Sequence, residues 1–294
     1  MCHVLIAGGD KRNIYLANEF YKDGFTVSVC GFDESVCFDK NIKRISDINT
    51  QNNNFDIIVL PLPVTSDNIT INAPFCHECI CISDVLSCAN DSSVITGGKV
   101  SNEIINKYGI NIIDYAKRDD FAYMNAVPTA EGAIECAMKE TPKTIAGLKC
   151  MVTGFGRCSE ILSVKLKALD AKVNVFARSS KDLSHAQALG FKSYHLSKLS
   201  TLSSCYDLIF NSIPYGIFDN ECIKNISPNC VFIDIASAPG GIKEDADITK
   251  LSYNFLPGLP GKYSPYTAGT VIKNVIQNIM RESGKDAYEW LLKD

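Results

Sequence analysis

The sequence predicts an α/β protein made of two doubly wound parallel-sheet domains, with a C-terminal helix that returns to the first. Three observations predict it. Short Val/Ile-rich runs alternate with amphipathic stretches in each half of the 294 residues. A helical segment flanked by prolines separates the halves. A strand, a Gly-x-Gly turn and a helical run, VTGFGRCSEIL, open the second half.

The totals fit that class and exclude others. A chain of 294 residues favours two domains. Its 46% hydrophobic and 21% charged residues are ordinary globular usage, enough to bury sizeable cores without staples. The net charge of −4, with no long run of one sign, argues against a nucleic-acid surface. No apolar stretch reaches the ~18–20 residues of a membrane span. Residues 1–20 begin strand-like and turn polar at Asp10 and Lys11, so they do not read as a signal peptide. The 13 cysteines are odd in number, and several, such as Cys30, Cys150 and Cys230, sit in apolar runs. They read as reduced, mostly buried thiols of a cytosolic protein. The densest group, CHECIC from Cys76 to Cys81, has no second Cys-x-x-Cys at a useful distance. It reads as packed thiols at a strand or helix edge, and no metal is expected.

In the first half, strands are expected at His3–Ala7, Thr26–Gly31, Asp56–Leu60, Ser93–Thr96 and Ile110–Ile113, with helices at Asn13–Tyr21 and Ser101–Lys107. The segment NAVPTAEGAIECAMKETP then places Ala130, Ala133, Ile134, Ala137 and Met138 on one helical face, bracketed by Pro128 and Pro142. The second half restarts with strands at Lys149–Thr153, Lys172–Ala177, Lys192–His195, Asp207–Asn211, Cys230–Ile235 and Tyr253–Leu256. Thr267–Met280 carries a stripe of Val271, Ile272, Val275, Ile276, Ile279 and Met280, expected to pack back on the first domain and close a cleft between two lobes. The expected division is 1–125, a connecting helix at 126–144, 145–265, and a returning segment at 266–294.

The turn at Gly154 suits a pyrophosphate. Gly154 makes the tight turn, and Gly156 lets the backbone come close. The free N–H groups of the next helical turn, from Arg157 onward, point at the anion, with Phe155 between the two glycines. Ser159 stands where a third glycine usually allows close helix–strand packing. The Rossmann-like context supports the assignment, because a second strand, KVNVFARSS, follows at the right interval. NAD sites usually carry Asp or Glu at that strand's end. Here Arg178, Ser179 and Ser180 lie 24 to 26 residues past Gly154. An acid would repel a 2′-phosphate, whereas Arg with two hydroxyls holds one, so NADP is expected over NAD.

Other strand ends carry Gly/Pro-rich loops on the same side. They hold Asn211, Ser212, Ile213 and Pro214, then Ser237 before Pro239-Gly240-Gly241, then Lys262 and Thr267 in PGLPGKYSPYTAG. In the first half, AGGDKR offers an anion site, with Arg12 and a helix N-terminus meeting a carboxylate. KRDDFAYMNAVPTAEG holds Arg118, Asp119, Asp120, Thr129 and Glu131 where the crossing between halves begins.

Taken together, GGDKR, RDDFAYMNAVPTAEGA, GFGR followed by VFARSS, NSIP, DIASAPGG and PGLPGKYSPYTAG resemble, nearly end to end, the dipicolinate synthase A-chain family of spore-forming bacteria. Departures from the family pattern are Ser159, where glycine is common, and Ala238, where a longer polar or basic side chain often precedes Pro-Gly-Gly. The resemblance implies oxidation of dihydrodipicolinate, or its hydrated form, to pyridine-2,6-dicarboxylate, with hydride passing to a nicotinamide cofactor. It implies as partner the second, flavoprotein-like subunit of dipicolinate synthase, and a place in the cytoplasm of a sporulating mother cell. A homodimer is a further expectation. A dicarboxylate substrate needs cations, for which Arg12, Arg118 and Lys262 are the candidates, with Thr129 and Thr267 beside them. A ring proton needs a base, and Asp119, Asp120 and Glu131 are the candidates, with Asp234 kept open. Asn211, Ser212 and Ser237 would line the nicotinamide side. The four histidines lie outside the motifs and read as structural. The same layout fits other two-lobed dehydrogenases, of shikimate, 2-hydroxyacid or alanine, and a non-catalytic NADP-binding scaffold for the partner.

Overall fold

The structure is a computed structural model that describes residues 2–50 and 55–284. The chain divides into two compact units, Met1–Met124 with Pro265–Asp294, and Asn125–Ser264. The first unit begins with β1 (His3–Ala7), α1 (Lys11–Lys22), β2 (Thr26–Cys30), β3 (Lys43–Arg44) and β4 (Phe55–Val59). It continues with α2 (Ile82–Leu86), β5 (Ala89–Gly97), α3 (Asn102–Tyr108), β6 (Ile112–Asp114) and the start of α4 (Asp119–Glu140). The sheet order is β3-β2-β1-β4-β5-β6, all parallel. Val4 lies between Val27 and Ile57, and all three are buried, because helices and loops cover both faces of a parallel sheet.

The second unit contains β7 (Lys149–Thr153), α5 (Arg157–Ala168), β8 (Lys172–Ala177), α6 (Ser180–Ala188), β9 (Lys192–His195) and α7 (Leu199–Leu202). Then follow β10 (Leu208–Asn211), α8 (Asn220–Asn225), β11 (Val231–Asp234), β12 (Ser252–Phe255) and α9 (Leu259–Tyr263). Its order, β12-β11-β10-β7-β8-β9, is again parallel. Counted within each unit, both sheets have the 3-2-1-4-5-6 order of Rossmann sheets, with the switch between the first and fourth strands.

The last described helix, α10 (Pro265–Glu282), returns to the first unit as predicted and packs along α1. It buries Val271, Ile272, Val275, Ile276, Ile279 and Met280, on the order of 10 kcal/mol of gross transfer free energy before entropy is counted. Gly269 makes the crossing close, since a Cβ there would lie 2.5 Å from the Arg12 carbonyl oxygen. Lys273 is buried but paired with Asp23 at 2.7 Å.

Three sequence expectations are corrected. Pro128 does not start a helix; it lies inside α4, which begins at Asp119 rather than 126 and ends at Glu140. Acids at the helix head suit its dipole, and the missing Pro128 N–H leaves one carbonyl, Met124, without its usual donor. Thr129 Oγ1 donates to the Asn125 carbonyl at 2.7 Å on the same turn, and Ala126, Ala130, Ala133 and Ala137 are fully buried. The sequence does not predict the short β3 and α2: β3 is two exposed basic residues, with no apolar pattern to read. The CHECIC stretch is an irregular loop that ends at a helix edge, with Cys81 at the N-cap of α2 and bridging to Thr70, but its thiols are not packed away as expected: Cys79 is exposed and Cys76 and Cys81 are half-buried. Among the described residues no helix is long and apolar enough to cross a membrane.

Candidate functional site

Strand β7 ends at buried Thr153 and turns at Gly154, whose N–H donates to the Phe176 carbonyl at 2.8 Å. Gly154 has φ +86°, and a Cβ there would lie 2.6 Å from Ser212 Oγ, so both backbone and space demand glycine. Gly156 differs. It caps α5 with extended backbone (φ −86°, ψ −174°), and a Cβ there would meet nothing within 4 Å. Among the described residues no side chain caps this helix, and a helix N-terminus without a side-chain cap suits an anion. The contrast is α1, whose N-terminus is capped by the Asp10 carboxylate accepting from Arg12 N–H at 2.9 Å.

Ser159 carries more than the small volume expected of it. It is buried, and its hydroxyl hydrogen-bonds Ser212 Oγ. Ser212 Oγ donates its one proton to the Thr153 carbonyl at 2.9 Å, so Ser159 is the donor between the two hydroxyls. The serine therefore ties α5 to the loop after β10. Phe155, expected at the cofactor, instead buries its ring against His185 and Phe191, leaving only its backbone to the loop.

Behind the loop lies a buried polar network. Thr153 Oγ1 donates to Asn211 Oδ1 at 2.6 Å, and Ile213 N–H donates to the same oxygen at 3.1 Å. Asn211 Nδ2 donates to Asp234 Oδ1 at 2.8 Å and to the Ile213 carbonyl at 3.0 Å. Asp234 also accepts from Ala236 N–H (3.1 Å), Gly241 N–H (2.7 Å) and the Tyr253 hydroxyl (2.9 Å). Burial and the neighbouring Asp234 push the Tyr253 phenol well above its ordinary range. The network ties together the ends of β7, β10, β11 and β12. It corrects two sequence readings. Asn211 is saturated and braces the loops rather than facing a ligand. Asp234 is fully buried with its oxygens taken, which does not suit a base. Sequence reasoning misses Thr153 and Tyr253; the available signal is a carboxylate ending a buried strand before Gly-Gly. A Cβ at Gly241 would lie 2.3 Å from Asn211 Nδ2.

Around this frame, Ile213 is half-buried against Gly154, while Pro214 and Ser237 are exposed. Arg178, Ser179 and Ser180 follow β8 and are exposed; Ser179 caps α6, accepting from Asp182 N–H at 3.1 Å. Thr129 on α4 contacts Cys158 on the first turn of α5. Burial pushes the Cys158 thiol up, and Thr129 pulls the other way. Also in this unit, Glu131 pairs with Lys165 at 2.8 Å, and Lys262 is exposed with its Nζ over the Tyr263 ring.

The remaining predicted residues belong to the first unit. Arg12 is not a free cation: its guanidinium binds both oxygens of Asp10 and the Leu62 carbonyl. Arg118 forms paired bonds to Asp120 (3.0 and 2.9 Å) and to Glu282 (2.8 and 2.7 Å). Asn278 adds a bond to Asp120 at 3.0 Å. Arg118 above all holds the Asp120 carboxyl below its usual range, which makes it a poor base. Asp119 and Thr267 are exposed in the first turns of α4 and α10. The histidines make local contacts: His3 meets Ser28, exposed His77 faces Asp33, His185 meets Phe155 and Glu160, and His195 caps a short turn.

Residues 3–116 match the family model for the N-terminal domain of the dipicolinate synthase A chain. The corresponding dipicolinate synthase chain of Bacillus subtilis (strain 168) is 30% identical over 291 residues, covering 95% of this chain and 96% of that one. The crystal structure of its counterpart from Bacillus halodurans superposes with a TM-score of 0.85 at 28% identity, covering 95% and 97% of the two chains. The transhydrogenase of Sinorhizobium meliloti shares the fold, with a TM-score of 0.68 at 12% identity and 96% and 94% coverage. With a full-length relative at 30% identity, this chain belongs to the dipicolinate synthase A-chain family.

Proposed function

We propose that this chain oxidises dihydrodipicolinate, or its hydrated precursor, to pyridine-2,6-dicarboxylate, using NADP held by the second unit. The observation that carries the reading is the uncapped N-terminus of α5 behind Gly156, with open space where a Cβ would stand. The N–H groups from Arg157 to Ser159 take the pyrophosphate. Arg178, with Ser179 and Ser180, takes the 2′-phosphate, since Arg178 is exposed and makes no ion pair with a described residue. When bound, the oxidised nicotinamide supplies the hydride acceptor. Ser212, Ile213 and Pro214 form the loop over the Gly154 turn, and the Asn211–Asp234 bridge holds that loop still. Lys262, exposed on α9, binds a substrate carboxylate, with Thr129 on the neighbouring α4. Arg12 and Arg118 hold Asp10 and Asp120 at the heads of α1 and α4, which makes them positioning residues. Asp119, Asp120 and Glu131 stay the candidate bases; Asp120 is paired with Arg118, which holds its carboxyl below the usual range, and Glu131 is paired with Lys165. The relatives are named as one subunit of dipicolinate synthase, which supports a second subunit in the working enzyme; the family resemblance makes that partner flavoprotein-like. The family supports a role in spore formation in the cytoplasm.

The test incubates the purified chain, with and without the partner protein, with the dihydro acid and NADP. Absorbance of the reduced cofactor and of the calcium complex of the product are followed together. Equal rates of the two signals are expected. Product without cofactor reduction, or cofactor reduction with shikimate or a 2-hydroxy acid instead, would overturn the reading.

A further inference from the structure

The start of the second unit's sheet, at the edge opposite the Gly154 loop, holds an unassigned cavity of about 400 Å³. Lys149, Lys172 and Lys192 are the first residues of three adjacent strands, β7, β8 and β9. Lys149 and Lys172 are direct partners in the parallel ladder, and all three are exposed. Lys167 joins them from α5, donating to the Leu189 carbonyl at 3.0 Å with its ammonium over the Phe191 ring. Phe191 and Tyr194 contribute aromatic surface to the same cavity.

Like charges side by side in a ladder destabilise each other, and here four cations line one concavity. Among the described residues no carboxylate lines it. Two acids border it: Asp207 accepts from the Lys149 backbone N–H at 3.0 Å and is already paired with Lys143 at 2.8 Å, and exposed Asp170, next to Ala171, donates its backbone N–H to the Lys167 carbonyl at 3.0 Å. The chain as a whole carries −4, so the positive charge here is a local excess. Each ammonium offers three donors as a point charge, which suits carboxylate or phosphate oxygens approaching from several directions. We propose that this cavity binds a compact multivalent anion, a di- or tricarboxylate or a phosphate compound, at a site separate from the Gly154 turn. The proposal stands independently of the NADP reading, because it uses none of that turn's residues.

The experiment is calorimetric titration of the full chain with citrate and, separately, with inorganic pyrophosphate, which distinguishes the carboxylate from the phosphate source. The variants are Lys172→Ala/Lys192→Ala, its milder Lys172→Gln/Lys192→Gln form, and a control, Lys224→Ala/Lys250→Ala, that removes the same charge from exposed positions elsewhere in the unit. Binding of at least one probe by wild type and control is expected. It should weaken about tenfold for each cavity lysine removed in both test variants, while NADPH titration of the same samples stays unchanged. Absence of binding in wild type, equal affinity in the test variants, or an equal loss in the control would overturn the proposal. A change in NADPH affinity alone would count against the cofactor reading and not against this site.

Discussion

Replacing Gly156 by Ala and Gly154 by Ala separates folding from binding within one turn. At Gly156 the backbone lies in an ordinary extended region, and the added methyl meets open space. Folding should lose only what Ala costs against Gly at a helix cap, about 0.5–1 kcal/mol. The methyl would, however, stand where a phosphate must approach the α5 N–H groups. Losing one charge-assisted N–H contact costs about 1.5–3 kcal/mol, so NADPH affinity should fall at least tenfold. At Gly154 the order reverses. A left-handed φ of +86° costs a non-glycine residue about 1–2 kcal/mol. Displacing Ser212 Oγ, 2.6 Å from the new Cβ, also breaks its bond to Thr153 and adds about 1–2 kcal/mol. Urea denaturation gives the stabilities, and NADPH fluorescence titration gives the affinities. The reasoning is refuted if Gly156→Ala folds normally and binds NADPH as tightly as wild type, or if it destabilises as much as Gly154→Ala.

Arg178→Ala should weaken NADP binding about tenfold or more and leave NAD binding unchanged, measured by parallel titrations; equal losses for both would remove the 2′-phosphate assignment. Asn211→Leu should cost about 3 kcal/mol or more in urea denaturation, because it takes the acceptor from Thr153 Oγ1 and Ile213 N–H and removes one donor to buried Asp234; near-wild-type stability would show the network to be dispensable. Arg118→Ala should keep NADPH affinity and lose stability in a pH-dependent way. Arg118 holds the Asp120 and Glu282 carboxyls below their usual values, so its contribution is complete above the ordinary carboxylate range and fades as pH falls through the lowered values. The variant should therefore differ from wild type at pH 7 and converge with it in acid; a difference that grows in acid would reverse the sign. A thiol reagent should label Cys37, Cys79 and Cys205 quickly, and leave Cys2, Cys30, Cys150 and Cys230 untouched in the native protein, since burial pushes these four thiols up to about 12. Fast labelling of all 13 would contradict the packing.

Much of the fold is legible in the sequence because it rests on local pattern. His3–Ala7, Lys149–Thr153, Lys172–Ala177 and Lys192–His195 have the predicted bounds, and the stripe of α10 faces α1. Patterns of period two and 3.6 report burial directly. The errors have a common cause, since they concern what distant residues supply. Pro128 reads as a boundary until tertiary packing of four buried alanines outweighs one lost bond. The candidate site divides in the same way. Gly154 and Gly156 are readable, because turn geometry is written into residue type. Arg12, Arg118, Asn211 and Asp234 are not, because a polar side chain's availability depends on its partners. For Arg118 and Asn211, those include Glu282 and Asp234, far along the chain. Ser159 reads as a weakened glycine, and its hydrogen bond to Ser212 becomes visible only when β10 is laid beside β7.

The central claim is that the turn after Thr153 grips the phosphates of NADP. Amide NMR of the full chain, titrated with NADP, tests it most directly. The account predicts that the largest shifts fall on Gly154 to Glu160 and on Arg178 to Lys181, with Gly8 to Arg12 unmoved. Shifts centred on Gly8 to Arg12, or a spectrum unchanged at saturating NADP, would contradict it.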